Sequence, residues 1–453
     1  MFKRVLIANR GEVAVRVIRA LHELDIEAVA VYSTADADSL HVKMADRAVK
    51  IGPPAASASY LNMQSIIGAA EITGAEAIHP GWGFLSENAD FVRACDDNDI
   101  VFIGPTAEAM ERMGDKAQAK VEMRSAGVPL VPGTEGTATL AQARSAAAEF
   151  GYPVLLKARA GGGGRGMRLV SSPDEIEGAY AAASSEAEAA FGDGTLYLEK
   201  ALVPARHVEI QVICDGHGNV LTLGERECSI QRRHQKLVEE SPSAALTPER
   251  REEMEAAAER ACRAIGYKNA GTFEFLLGAE GSFYFIELNC RLQVEHPVSE
   301  LCTRIDLVRE QLRVAAGERL LQSGRAARAG HAIEVRINAE DPSRGFMPAP
   351  GKIVRFQAPL GPGVRVDSHV RTGSVVPPYY DSLIAKLVVW DADRPAAIAR
   401  TLCALDELEI EGVPTTAALA ADVLRSDAFR SGHYSTSFLD EHEADLPSLR
   451  AAT

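Results

Sequence analysis

The sequence predicts a mixed α/β and α+β protein built from three consecutive units. Three observations carry that prediction. Up to about Met113, short apolar runs alternate with amphipathic helical patterns, as in a parallel α/β layer. From Gly114 onward the runs alternate residue by residue and are joined by turn signals such as DGHGN and GAEGS, which indicates antiparallel sheet with helices. A further β-rich stretch follows segment 322–330, whose small, polar and basic composition reads as a linker. At roughly 150 residues per domain, a chain of 453 residues has room for several cores.

In the first unit, 1–113, VLIA, AVAVY, AVKI, AIHP and IVFIG read as strands, with helices over 12–24 and 62–73. In the second, 114–322, the Ala- and Glu-rich stretches 137–149 and 174–191 read as helices. PVLLKA and MRLV read as strands on either side of a glycine run. HVEIQVIC, NVLTLGERE, TFEFLL and SFYFIELN complete that unit with period-two alternation. The third unit, 331–442, contains EVRINAE, KIVRF, VRVDSHV, LIAKLVVW and a helix near 395–407, and DLPSLRAAT reads as a frayed tail.

Composition narrows the function. Hydrophobic residues at 46% and charged residues at 25% are the mix of a soluble globular protein. With 63 acids against 48 bases the net charge is −15, which disfavours nucleic acid and anionic membranes unless a local basic patch overrides it. The start, MFKRVLIANRGE, lacks a signal peptide's long apolar region, and no stretch of apolar residues is long enough to span a bilayer. Seven scattered cysteines without a C-x-x-C pair argue against zinc and disulfide frameworks. The expectation is a cytoplasmic protein.

Three clusters carry chemistry. The first is GGGGRG at 161–166. It lies between two strands, not between strand and helix, so it reads as a flap over phosphates and not as a dinucleotide fingerprint. Lys157 and Arg165 add positive charge to it, and no Walker A sequence is present. The second is the hairpin TFEFLLGAEGSFYFIELN. A two-residue turn at Glu280–Gly281 places Glu274 opposite Glu287, an unfavourable pairing unless a cation lies between them. A divalent ion bridging nucleotide phosphates fits that position, and Asn289 projects to the same face as Glu287. The third is a charged set from ERECSIQRRHQKLVEE (Arg226, Arg232, Arg233, His234, Lys236), NCRLQVEHPVSE (Arg291, Gln293, Glu295, His296) and EVRINAED (Arg336). A cationic pocket containing one carboxylate suits anion chemistry with a general base.

These residues resemble the biotin carboxylase family, the ATP-grasp component of biotin-dependent carboxylases. The likeness spans roughly residues 2–442 and rests on IANRGE, HPGWGFLSEN, MGDK, GGGGRGM, RHVEIQV, RRHQK, GTFEF, RLQVEHPV and EVRINAED, all in family order. The resemblance implies an ATP-grasp fold with an N-terminal parallel α/β (pre-ATP-grasp) domain, a mobile flap subdomain at about 130–203 and a C-terminal β-rich domain. It implies that ATP activates bicarbonate to carboxyphosphate and that the CO2 unit passes to the ureido nitrogen of biotin. In that scheme Lys116, Lys157, Gly162, Gly163 and Gly164 hold the phosphates. Glu199, Lys200 and Leu202 match the adenine pocket, and His207, Glu209 and His234 complete the ATP set. Glu274, Glu287 and Asn289 carry Mg2+ (or Mn2+). Glu295 is the base, Lys236, Arg291, Gln293 and Val294 line the bicarbonate site, and Arg291 and Arg336 stabilise carboxyphosphate and the biotin enolate. The resemblance also implies a biotin carboxyl carrier protein and a carboxyltransferase on other chains, since no A-M-K-M-like tetrapeptide occurs, and a homodimer. The sequence departs from the family at Trp82 (commonly Tyr), at Arg159 and Ala160 (usually small residues) and at Cys290 (often Thr). The alternative is another ATP-grasp ligase joining an acyl phosphate to an amine.

Overall fold

The computed structural model describes residues 1–134, 136–159 and 166–450. The flap glycines Gly162, Gly163 and Gly164, with Ala160 and Arg165, lie outside the described residues.

Five parallel strands open the chain: β1 (Arg4–Ile7), β2 (Glu27–Ser33), β3 (Arg47–Gly52), β4 (Ala77–His79) and β5 (Val101–Phe102), in the order β3-β2-β1-β4-β5. The apolar runs of its central strands are buried on both faces, as crossover helices require. The helix Gly11–Glu23 covers one face with Val13, Val17, Ile18 and Leu21, all fully buried.

A small three-stranded sheet follows, with β6 (Val154–Ala158) between β7 (Met167–Val170) and β8 (Leu196–Lys200). Helices Leu140–Phe150 and Ile176–Phe191 close its own core around Val154, Leu156, Val170 and Leu198. The helix Leu140–Phe150 starts with a capping box between Thr139 and Gln142.

The large sheet contains β9 (Ala205–Cys214), β10 (Val220–Arg232), β11 (Gln235–Ser241), β12 (Asn269–Gly278), β13 (Phe283–Asn289), β14 (Gly324–Arg325), β15 (His331–Asn338), β16 (Val364–Ser368) and β17 (Leu383–Asp391). Its order is β13-β12-β9-β10-β11-β15-β17-β16, with β14 beside β10. The third unit shares this sheet, because β11 pairs antiparallel with β15 through Val238↔Val335 and carries it onward. One expectation is corrected: segment 322–330 is not a free linker, because Gly324 pairs with Leu221 in β10 and Arg328 forms an ion pair with Glu255. The expected frayed tail packs as far as residue 450: Leu446 is fully buried and Ser448 bonds the Asp422 carboxylate.

The hairpin β12–β13 does set Glu274 opposite Glu287, by a different route. The loop takes three residues, 279–281, between Gly278 and Ser282 instead of the expected two, with Leu277 opposite Phe283, and a bulge at Ile286 restores the register beyond it. A second irregularity shapes β10, whose pairing to β9 shifts between Thr222 and Glu225. Gly224 sits there at φ +78°, and a Cβ would lie 2.5 Å from an Arg328 guanidinium nitrogen. After the shift, Arg226 stands directly opposite Glu209.

Candidate active site

The sheet register builds the site. Glu287 pairs with Glu274, Glu274 with Glu209, and Glu209 with Arg226, so three carboxylates and one guanidinium form a row across four strands. Three acids side by side repel one another unless cations neutralise them. Arg226, fully buried, donates to Glu209 at 2.5 Å, to Gln211 at 2.7 Å and to Gln293 at 3.0 Å. Lys236 reaches the row from β11, beyond a two-residue turn in which Arg233 and His234 both have positive φ.

The Lys236 ammonium is the hub. Its Nζ lies 2.6 Å from Glu209, 2.9 Å from Glu274 and 2.6 Å from Glu295. The other Glu295 oxygen accepts from Arg336 at 2.9 Å, and Arg336 also donates to Glu239 at 2.6 Å. Burial by itself raises a carboxylic acid, but Lys236, Arg336 and Arg226 together hold Glu295 well below its ordinary value. Burial likewise opposes charge on Lys236, and Glu209, Glu274 and Glu295 reverse that and raise it. Burial raises Glu239 to about 7, against the pull of Arg336.

The expected cationic pocket with one carboxylate is therefore a cluster of three cations and four carboxylates. Lys236, Arg226 and Arg336 face Glu209, Glu239, Glu274 and Glu295. The pairs are needed because isolated charges buried at this depth are prohibitively costly. An incoming anion competes for cations that already have partners.

The remaining expected residues fall around this hub. Gln293 donates to Glu274 at 2.9 Å, and Arg291 donates to Glu87 at 2.9 Å and to the Asn289 carboxamide oxygen at 3.0 Å. His207 Nε2 lies 3.2 Å from Glu274. Glu287 is exposed, yet partial desolvation and then the charge of Glu274 raise it, while Lys116 pulls the other way. Lys157 binds Glu199 at 2.6 Å, and Lys120 binds the other oxygen of the same carboxylate. Lys200 anchors backbone instead, donating to the Gly151 and Tyr152 carbonyls. Leu202 is half-buried beyond β8, and His234 is exposed at its turn.

Sequence reasoning does not assign Glu87, Lys120, Glu239 or Arg226 to a role in the site. Arg226 and Glu239 stand in the quoted charged run, but only the sheet register shows which face they share. Glu87 stands in the quoted motif at 79–88, but only long-range packing brings it and Lys120 to the site.

Three family models match in sequence order: the biotin carboxylase N-terminal domain at residues 1–110, the carbamoyl-phosphate synthase L chain ATP-binding domain at 115–323, and the biotin carboxylase C-terminal domain at 334–441. The chain belongs to the biotin carboxylase family. It is 54% identical over 442 residues to a biotin carboxylase of Nostoc, covering 97% of this chain and 99% of that one. It is 51% identical over 444 residues to a biotin carboxylase of Pseudomonas aeruginosa, covering 97% and 98%. The structure of Campylobacter jejuni biotin carboxylase in complex with a β-γ-ATP superposes with a TM-score of 0.93 at 50% identity, covering 98% and 99% of the two chains. The biotin carboxylase domain dimer of Hydrogenobacter thermophilus 2-oxoglutarate carboxylase, holding MgADP, ADP and bicarbonate, gives 0.93 at 49% identity over all of both chains. The ATP-grasp fold of the biotin carboxylase family is thus the fold of this chain, and the amine-ligase alternative finds no support among these relatives.

Proposed function

We propose that this chain carboxylates biotin carried on a separate protein, using ATP and bicarbonate, as the first half-reaction of an acyl-CoA or related carboxylase. One observation carries the reading: Glu295, buried and ionised, is clamped between Lys236 and Arg336 beside a row of carboxylates suited to a divalent ion. Lys116, Lys157, Gly162, Gly163 and Gly164 hold the ATP phosphates, and Glu199, Lys200, Leu202, His207, Glu209 and His234 complete the nucleotide site. Glu274 and Glu287 fit a metal by the chemistry of their oxygens and by facing each other across the hairpin. The Asn289 oxygen, now taken by Arg291, joins them if Arg291 turns toward substrate. A bound Mg2+ supplies charge neutralisation at the phosphates during transfer.

Lys236, Arg291, Gln293 and the Val294 backbone orient bicarbonate. As a bicarbonate oxygen bonds to the γ-phosphorus and the bond to ADP breaks, Glu295 takes the bicarbonate proton. Lys236 turning to the anion leaves Glu295 with one cation fewer and so strengthens it as a base. The C–O bond of carboxyphosphate then breaks to give CO2 and phosphate, the phosphate takes the ureido N–H proton of biotin, and the nitrogen so freed bonds to the CO2 carbon. Arg291 and Arg336 stabilise the carboxyphosphate and the biotin enolate.

The proposed division is 1–113, 114–322 with a flap subdomain at about 130–203, and 331–442. The partners are a biotin carboxyl carrier protein and a carboxyltransferase on other chains, with a second copy of this chain as in the Hydrogenobacter domain dimer. No helix among the described residues is long and apolar enough to cross a membrane, and the proposed location is the cytoplasm. The test is phosphate release from MgATP with and without bicarbonate and free biotin. Stimulation that requires both supports the reading, and stimulation by an amine instead overturns it.

A further inference from the structure

Lys386 is fully buried in the middle of β17, although a lone ammonium there is expensive. Its Nζ donates to the Val294 carbonyl at 2.8 Å, the oxygen of the very peptide whose nitrogen belongs to Glu295. It lies 3.1 Å from Glu12 of the helix Gly11–Glu23 and 3.9 Å from Asp367 of β16. Glu12, also buried, accepts from the Trp82 indole Nε1 at 3.0 Å through its other oxygen. Trp82 is half-buried, and with Glu12 it lines a cavity of about 230 Å3 between the first unit and the residues around Tyr380. A continuous polar line therefore runs from the wall of that cavity, through Glu12 and Lys386, to the back of the Glu295 peptide. Lys236 and Arg336 grip the Glu295 carboxylate from the front, and Lys386 holds the Val294 carbonyl from behind.

We infer that Trp82, Glu12 and Lys386 form a positioning line that fixes the Val294–Glu295 peptide. Its strength depends on the indole N–H that this chain carries at position 82. The inference rests on Glu295 being the base. Holding a reacting group in place matters because a displacement near 1 Å costs on the order of 100-fold in rate. Trp82→Phe keeps an aromatic ring and removes the donor. Lys386→Met removes the charge and the bond to Val294.

Two measurements on the full chain test the line. The first is steady-state phosphate release with bicarbonate and free biotin for Trp82→Phe, Lys386→Met and the double variant. The inference predicts that kcat falls about tenfold or more in Lys386→Met and severalfold in Trp82→Phe, while KM for ATP stays within about twofold. The double variant falls no further than Lys386→Met, because both changes cut one line. A folded Lys386→Met with unchanged kcat overturns the inference. So does a double variant whose loss equals the product of the single losses. The second measurement is the indole N–H resonance of Trp82, with Trp390, the other tryptophan, as internal reference. Lys386→Met shifts the Trp82 signal, and an unmoved signal overturns the line. If Lys386→Met does not fold, Trp82→Phe and Glu12→Gln decide: an unchanged kcat in both overturns the inference. A wild-type chain without bicarbonate- and biotin-dependent turnover sinks the functional reading alone, and the indole resonance then decides the line.

Discussion

Replacing Lys236 with Met tests the charge balance of the site most sharply. One ammonium lies within hydrogen-bond distance of Glu209, Glu274 and Glu295, all three buried. Removing one partner of a buried ion pair typically costs about 3–5 kcal/mol, because the other charge is left uncompensated. The sign of the pH dependence follows from the pKa directions. In the wild type, burial is outweighed by cations, so Glu274 and Glu295 titrate below their unfolded value of 4.5. Their contribution to stability is fully present above that value and is lost as pH falls through the folded pKa. In Lys236→Met the three acids raise one another, and at least one titrates above its unfolded value. The variant is then least stable at high pH and recovers on acidification. At about 1.4 kcal/mol per pH unit for one proton, a deficit of about 3–5 kcal/mol closes over roughly two to four units. Ligand-free urea unfolding of both proteins at pH 5, 6, 7 and 8 measures this. Groups common to both proteins cancel in the difference. A variant as stable as the wild type at pH 8, or a deficit that does not shrink toward pH 5, refutes the reasoning.

Other predictions follow from neighbouring groups. Glu334 is fully buried on β15, neither of its oxygens has a hydrogen-bond partner among the described residues, and burial raises its pKa well above 4.5. The wild type therefore loses stability as pH rises from that value through the folded pKa; Glu334→Gln flattens the fall in stability between pH 5 and 8 by about 1–3 kcal/mol, and parallel urea-unfolding profiles contradict this. Glu287→Gln raises the Mg2+ concentration needed for half-maximal turnover severalfold, and an unchanged requirement counts against a metal shared by the facing glutamates. Arg336→Met slows carboxyl transfer by about 100-fold or more with KM for ATP within about twofold, and a proportional rise in that KM shows general damage instead.

Much of this is legible in the residues. The five parallel strands, the two flap helices and the facing acids Glu274 and Glu287 all follow from local periodicity and turn chemistry. The hairpin shows the limit, because the pairing is as expected although the loop has one residue more and the bulge at Ile286 makes up the difference. The pairing of β11 with β15 joins segments nearly a hundred residues apart, and no local pattern announces that the sheet continues into the third unit. Charge is misread from the sequence for the same reason. Lys236 and Arg336 look like free cations in the chain, whereas the register places a carboxylate against each. Glu87 and Lys120 enter the site only through packing between distant segments.

Everything proposed for this site turns on Glu295, held by Lys236 and Arg336, being the base that lets bicarbonate react. The direct test is the formation of carboxybiotin from isotopically labelled bicarbonate, MgATP and free biotin by the wild type and by Glu295→Gln. Label is expected in biotin with the wild type, with a loss of about 100-fold or more in the variant and ATP binding retained by both. A Glu295→Gln enzyme that transfers label at the wild-type rate contradicts it.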